Sequence, residues 1–219
     1  MTIIIIAITI WAGILIPGTL VGVIISKKTS EELLSGAASQ LTFIVMSLTI
    51  TVSLTNGFEY SGLRITFCCL FEALLYSGAL AIVIALASMV LHMQYDYEPP
   101  FLPRRLIEAV LVAFLLAPFS EELMYRGVVE GYLLSHTSLA TAILVPAILF
   151  SLMHIIPFNN APRPVLATVL TGALLLGVIA GYYRAISNSI IPAFASHSTS
   201  NIIGFLQYYK EKNIYQGKH

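Results

Sequence analysis

Charge is what this chain has least of. Acidic and basic side chains number eleven each and together make 10% of its 219 residues, where soluble domains carry roughly 25%. A soluble protein so poor in charge would have too little polar surface to stay in solution. The formal net charge is zero, which removes the electrostatic case for a nucleic-acid partner. Cysteine is nearly absent. Cys68 and Cys69 are adjacent within an apolar run, and helix neighbours point about 100° apart, so they cannot be bridged without distortion. They are expected to be small packing residues rather than a redox pair or a metal site. No Lys or Arg precedes Lys27. The N-terminal apolar run therefore lacks the basic start of a secretory signal, and from Ile3 to Ile25 it is too long for one. It is expected to be a retained helix.

What remains is apolar, 58% of the chain, arranged in runs near the ~20 residues that cross a bilayer. Seven candidates follow one another: Ile3–Ile25, Ala37–Leu54, Ile65–Leu91, Leu106–Ser135, Leu139–Ile155, Pro164–Tyr183 and Ser189–Tyr209. Polar or helix-breaking stretches separate them, notably Thr55-Asn56-Gly57, then Pro99, Pro100 and Pro103, then Pro157 through Arg163. The expected fold is an all-α, polytopic membrane helix bundle of about seven spans. With the N-terminus outside, Lys27, Lys28, Arg104, Arg105, Arg163, Lys210, Lys212 and Lys218 fall on the inner side and only Arg64 and Arg184 on the outer. That asymmetry predicts N-out, C-in in an integral membrane protein, expected in the plasma membrane. Length allows one domain. Within it, 1–105 would hold three N-terminal spans, 106–209 a second bundle and 210–219 a cytoplasmic tail.

A charged side chain inside the bilayer costs at least about 2.5–3.5 kcal/mol, so polar residues inside the runs are the informative ones. Glu121-Glu122-Leu123-Met124-Tyr125-Arg126 lies in the fourth. Glu122 and Arg126 share a helix face in the favourable order for an i,i+4 pair, and Glu130 extends the stripe. Glu121 has no basic residue three or four positions away, so a structural ion pair does not account for it. Phe150-Ser151-Leu152-Met153-His154 ends the fifth run. A lone histidine there is more often an interfacial residue than a functional one. His197 and Asn201 share one face of the seventh, where interhelical hydrogen bonding is the bland explanation.

Together the three sets supply a carboxylate, two imidazoles and an amide. In order they resemble the signature of the CPBP family (CAAX protease and bacteriocin-processing, also called Abi): EExxxR, FxxxH and HxxxN, each on a membrane helix. The resemblance covers roughly Leu106 to Tyr209. It implies an intramembrane endopeptidase acting on membrane-associated peptides or CAAX-like protein C-termini. It also implies that Glu121 and His154 activate a water, that His197 and Asn201 stabilise the oxyanion, and that Glu122 and Arg126 support them.

Two histidines and one carboxylate (Glu121, His154, His197) are a legitimate Zn2+ set with water as fourth ligand, although asparagine is a poor zinc ligand. Metalloprotease and metal-free glutamate mechanisms both stay open, with the balance toward the metal-free one. Rival protease signatures are absent: there is no HExxH, Gly-x-Gly-Asp or Gly-x-Ser-Gly. Two non-protease readings compete. A non-catalytic immunity or scaffold protein of the same family would not need the intact motifs. A proton-relaying transporter would leave the His197–Asn201 face unexplained.

Overall fold

A computed structural model describes residues 1–29, 31–55, 58–95, 97 and 106–216. The turn at Asn56-Gly57, the prolines at 99, 100 and 103, and the basic residues Arg104, Arg105 and Lys218 lie outside the described residues. Among the described residues the chain is helical, without strands. We number the helices α1 (Thr2–Thr29), α2 (Glu32–Thr55), α3 (Leu70–Tyr95), α4 (106–134), α5 (Leu139–Met153), α6 (Arg163–Ser187) and α7 (Ile191–Gln216).

Among the described residues four segments are long and apolar enough to cross a membrane: Thr2–Thr29, Leu33–Leu54, Leu70–Leu91 and Arg163–Ser187. The distribution of side chains tells the same story. Ile5, Val45, Val83 and Leu111 are exposed, while Glu122, Arg126 and Glu130 are fully buried. Charge inside and aliphatic carbon outside is the arrangement hydrocarbon selects. The protein is an integral membrane protein.

Packing follows from small residues. Ser35 Oγ donates to Gly22 O at 2.7 Å and Ser39 Oγ to Gly18 O at 2.9 Å. A Cβ on Gly18 would meet the Phe43 ring at 2.2 Å. Helices α1 and α2 therefore approach more closely than larger side chains permit, the usual solution where water supplies no drive for helix association. Helix α3 packs on α6 and α7, α5 on α6, and α4 runs through the middle against both groups.

The fourth helix is not uniform. Ala109–Leu116 and Leu123–Glu130 are π-helical, and Ala117–Glu122 between them is α-helical. In the first wide stretch the Ala117 N–H donates five residues back to Val112 O. Pro118 follows and has no N–H to continue the ladder. The carbonyls it would have used, four or five residues back, accept from α7 instead: Ser198 Oγ donates to Phe114 O at 2.8 Å and Asn201 Nδ2 to Ala113 O at 2.9 Å.

Several sequence expectations need correcting. The third helix starts at Leu70, not Ile65. Cys68 and Cys69 precede it in a turn where Cys69 adopts φ 61°, with their sulfurs 3.2 Å apart and Cys68 exposed. They are turn residues, not helix packing. Arg184 does not lie in an outer loop. It is buried within α6, where its guanidinium donates to Tyr60 O (2.6 Å), Arg126 O (3.2 Å) and Asn188 Oδ1 (3.2 Å). Helix α6 ends at Ser187 because Asn188 takes the left-handed conformation that asparagine tolerates. The last helix passes Tyr209 and continues to Gln216, so most of 210–219 extends α7.

Candidate active site

Each candidate side chain is placed by a local cause. The α-helical turn at Ala117–Glu122 carries Glu121 and Glu122 inward, and both are buried. Helix α5 opens at an N-cap, where Ser138 Oγ accepts from the Thr141 N–H at 3.3 Å. It stops at Met153 because Pro157 cannot donate back to that carbonyl. His154 is therefore not inside the span as expected but immediately past its end. It is held there by its Nδ1, 2.8 Å from Phe150 O, and by its ring edge-on to Phe150. His197 and Asn201 lie one turn apart on α7, and His197 is buried.

These residues come together at the core. His197 Nδ1 lies 2.9 Å from Glu122 Oε1, and its Nε2 lies 3.9 Å from Glu121 Oε2. The Phe150 ring contacts both histidines, with ring centroids 4.9 Å from His154 and 5.3 Å from His197. His154, His197 and Asn201 line a cavity of about 430 Å³ bounded by α3, α4, α5, α6 and α7. Its other walls are mostly apolar, including Leu80, Ile84, Val169 and Leu176, with Ser88, Ser200 and Gln207 among the polar exceptions, and no described Asp, Glu, Lys or Arg lines it. Glu121 is not among the lining residues. It lies beside His197, with 12% of its side-chain surface still accessible.

Hydrogen-bond partners fix the proton positions. A carbonyl only accepts, so His154 carries its proton on Nδ1 and presents a bare Nε2. Glu122 accepts from His197 Nδ1. Asn201 spends one N–H on Ala113 O and keeps the second.

Arg126 anchors the arrangement from below. Its Nη1 donates to Glu122 Oε1 at 3.3 Å, its Nη2 donates to Gly177 O at 2.9 Å, and its Nε sits 3.2 Å from Glu122 Oε2 as an ion-pair contact. Its guanidinium also lies 5.0 Å from the Phe150 ring centre, within cation–π range. Gly177 is required for this approach, since a Cβ there would meet Ala147 at 3.0 Å and Arg126 at 3.2 Å.

The sequence reading missed three relationships. Glu122 pairs with His197 as well as Arg126, a cross-helix contact that spacing along one helix cannot reveal. Gln40 Nε2 lies 3.3 Å from Glu121 Oε1. Its signal was available, because Gln40 is the sole side-chain amide within Ala37–Leu54. Trp11 donates to Tyr125 Oη at 3.0 Å, and that hydroxyl contacts Met153 Sδ at 3.2 Å.

Residues 103–203 match the family model described as type II CAAX prenyl endopeptidase Rce1-like. Over this stretch, a little under half of its length, the chain is similar to the Rce1-like family. The match contains every candidate residue from Glu121 to Asn201 and agrees with the CPBP resemblance of the three motifs. The Rce1-like family is a protease family of the membrane. No curated protein and no solved structure matches the chain significantly. The metal alternative can be tested on side-chain placement. Among the described residues no three His, Cys, Asp or Glu side chains stand in an arrangement that could hold a metal ion.

Proposed function

We propose that the protein is an intramembrane endopeptidase in which Glu121 and His154 activate a water for attack on a peptide carbonyl. Glu121 is buried with one oxygen toward His197, and His154 offers a bare Nε2 to the cavity. A carboxylate and a neutral imidazole are the two side chains suited to taking a proton from water. Asn201, with its remaining N–H, and His197 would stabilise the oxyanion. His197 spends its Nδ1–H on Glu122, so Nε2 is the ring nitrogen left to face the oxyanion. Glu122 and Arg126 hold His197 and the helix that carries Glu121.

The observation that carries this reading is the convergence of His154, His197 and Asn201 on one largely apolar cavity, with Glu121 beside His197. The uncharged walls suit an apolar segment beside the scissile bond. They support as substrates membrane-associated peptides or CAAX-like C-termini, the class that the family's description prints. We further propose seven crossings with the N-terminus outside, residence in the plasma membrane, and division into an N-terminal part (1–105), a catalytic bundle (106–209) and a short C-terminal remainder.

The decisive experiment is cleavage of an internally quenched, prenylated CAAX peptide by purified protein in proteoliposomes. Wild type is expected to cleave it, and Glu121→Gln and His154→Ala to lose at least about 100-fold in turnover at unchanged abundance. Normal cleavage by both variants would overturn the reading. Phenotypes in cells that survive Glu121→Gln would point instead to a non-catalytic immunity or scaffold role.

A further inference from the structure

The Glu121 carboxylate has two neighbours on its two oxygens. Oε2 faces His197 Nε2 at 3.9 Å. Oε1 faces the Gln40 amide at 3.3 Å. Gln40 belongs to α2, more than sixty residues before the segment that matches the Rce1-like family. Its orientation is not free. The Ser120 hydroxyl, which also contacts Ala117 O at 2.9 Å, donates to Gln40 Oε1. An amide between a hydroxyl donor and a carboxylate presents its oxygen to the first and its NH2 to the second. The chain thus builds a relay, Ser120 to Gln40 to Glu121, that crosses from α4 to α2 and back to the next residue of α4.

We propose that Gln40 is the positioning residue for the Glu121 carboxylate, so that the N-terminal helices complete the catalytic unit. This rests on the reading of Glu121 as the base. Gln40 touches neither water nor substrate in this scheme. It fixes which lone pairs of Glu121 point toward His197 and the cavity. Small misplacements of a reacting group cost large factors in rate, and a buried carboxylate with one oxygen untethered can rotate about its last torsion. The bland alternative is that Gln40 merely satisfies itself between membrane helices. The two differ in what an isosteric side chain without N–H would change.

Gln40→Met keeps the volume and removes the donor. With the quenched prenylated peptide in proteoliposomes, kcat is expected to fall about 10–100-fold, with KM within about twofold and abundance unchanged. Ser120→Ala, which frees the amide to turn, is expected to lose less, about 3–10-fold, again in kcat. A second arm needs no substrate. The Glu121 carboxyl band is assigned in the infrared difference spectrum of wild type against Glu121→Gln, and it is expected to shift in Gln40→Met. An unmoved band, or an unchanged kcat in a folded Gln40→Met protein, overturns the proposal. If wild type fails to cleave the probe, the protease reading fails while the infrared band still decides the pair. If Gln40→Met does not accumulate, the band and kcat of Ser120→Ala decide it.

Discussion

His197 Nδ1 and Glu122 Oε1 lie 2.9 Å apart, joining the first third of α7 to the middle of α4 through the core of the bundle. The same carboxylate oxygen accepts from Arg126 Nη1 at 3.3 Å. Glu122 therefore does two jobs: it neutralises a buried guanidinium and it dictates which ring nitrogen of His197 faces Glu121. A partner that fixes a histidine's tautomer is part of its chemistry.

Glu122→Gln keeps the shape but offers an amide that can present either end to the ring. The expected result is a loss of turnover on the order of 100-fold with little change in KM. Steady-state kinetics on the quenched peptide checks it. Turnover within threefold of wild type would reduce Glu122 to a structural counter-ion.

Asn201→Ala removes the amide that faces the cavity. Loss of one oxyanion donor typically costs about 10²–10³-fold in kcat, and that is the range expected. Pro118→Ala reaches the same residue from α4, because it supplies an N–H to compete with Asn201 for Ala113 O. A smaller loss, about 3–10-fold in kcat, is expected, and side-by-side kinetics of the two variants measures both. A fully active Pro118→Ala protein would show that Asn201 does not need the freed carbonyl.

Arg126→Ala removes the guanidinium that pairs with Glu122 and acts electrostatically on Glu130. Both carboxylates are fully buried, and hydrogen-bond partners are absent for both Glu130 oxygens among the described residues. Breaking a buried pair from one side destabilises by about 3–5 kcal/mol. Detergent-solubilised Arg126→Ala is expected to unfold well below wild type in a thermal aggregation assay. Arg126→Lys should rescue only part, since lysine cannot span Glu122 and Gly177 O together.

Chelation gives a separate test. Because the site's donors are not placed as a metal set, cleavage of the quenched peptide is expected to persist after zinc removal verified by elemental analysis. Activity lost on removal and restored by Zn2+ alone would reverse that expectation.

The vicinal thiols report on the turn before α3. The hydrogen bond it shares with Cys68, together with partial burial, pushes the Cys69 thiol up to about 11. A raised value keeps Cys69 as the neutral thiol at pH 8, so its alkylation by iodoacetamide is expected to be slow there and to climb as pH rises toward 11. In Cys68→Ala the rise should shift to lower pH. Mass spectrometry of the labelled peptide follows it, and equal labelling of Cys69 in both proteins at pH 8 would contradict the pairing.

The all-helical bundle was legible because span length and hydrophobicity are local properties of sequence. Glu121, His154, His197 and Asn201 were legible for a related reason: polar groups in apolar runs are costly enough to be conspicuous. What could not be read were relationships between runs. Nothing near Glu122 in the chain announces His197, and nothing near Arg184 announces the Tyr60 and Arg126 carbonyls that bury it. Boundaries failed where backbone chemistry overrode hydrophobicity. Helix α3 loses Ile65–Cys69 to a turn with a positive φ, and α5 ends before His154 because of Pro157. The π-helical stretches of α4 left no trace in the apolar pattern, which constrains side chains and not the spacing of backbone bonds.

Those wide stretches make the length of α4 matter more than most of its letters. Ala109–Leu116 faces lipid over much of its surface and could accept many aliphatic substitutions. Deleting one residue from it is different. If the rod kept its wide turns, everything downstream would turn by up to about 100°, carrying both glutamates off the axis they share with His197. Lineages of this protein should therefore drift freely in composition along that stretch while tolerating neither an insertion nor a deletion within it.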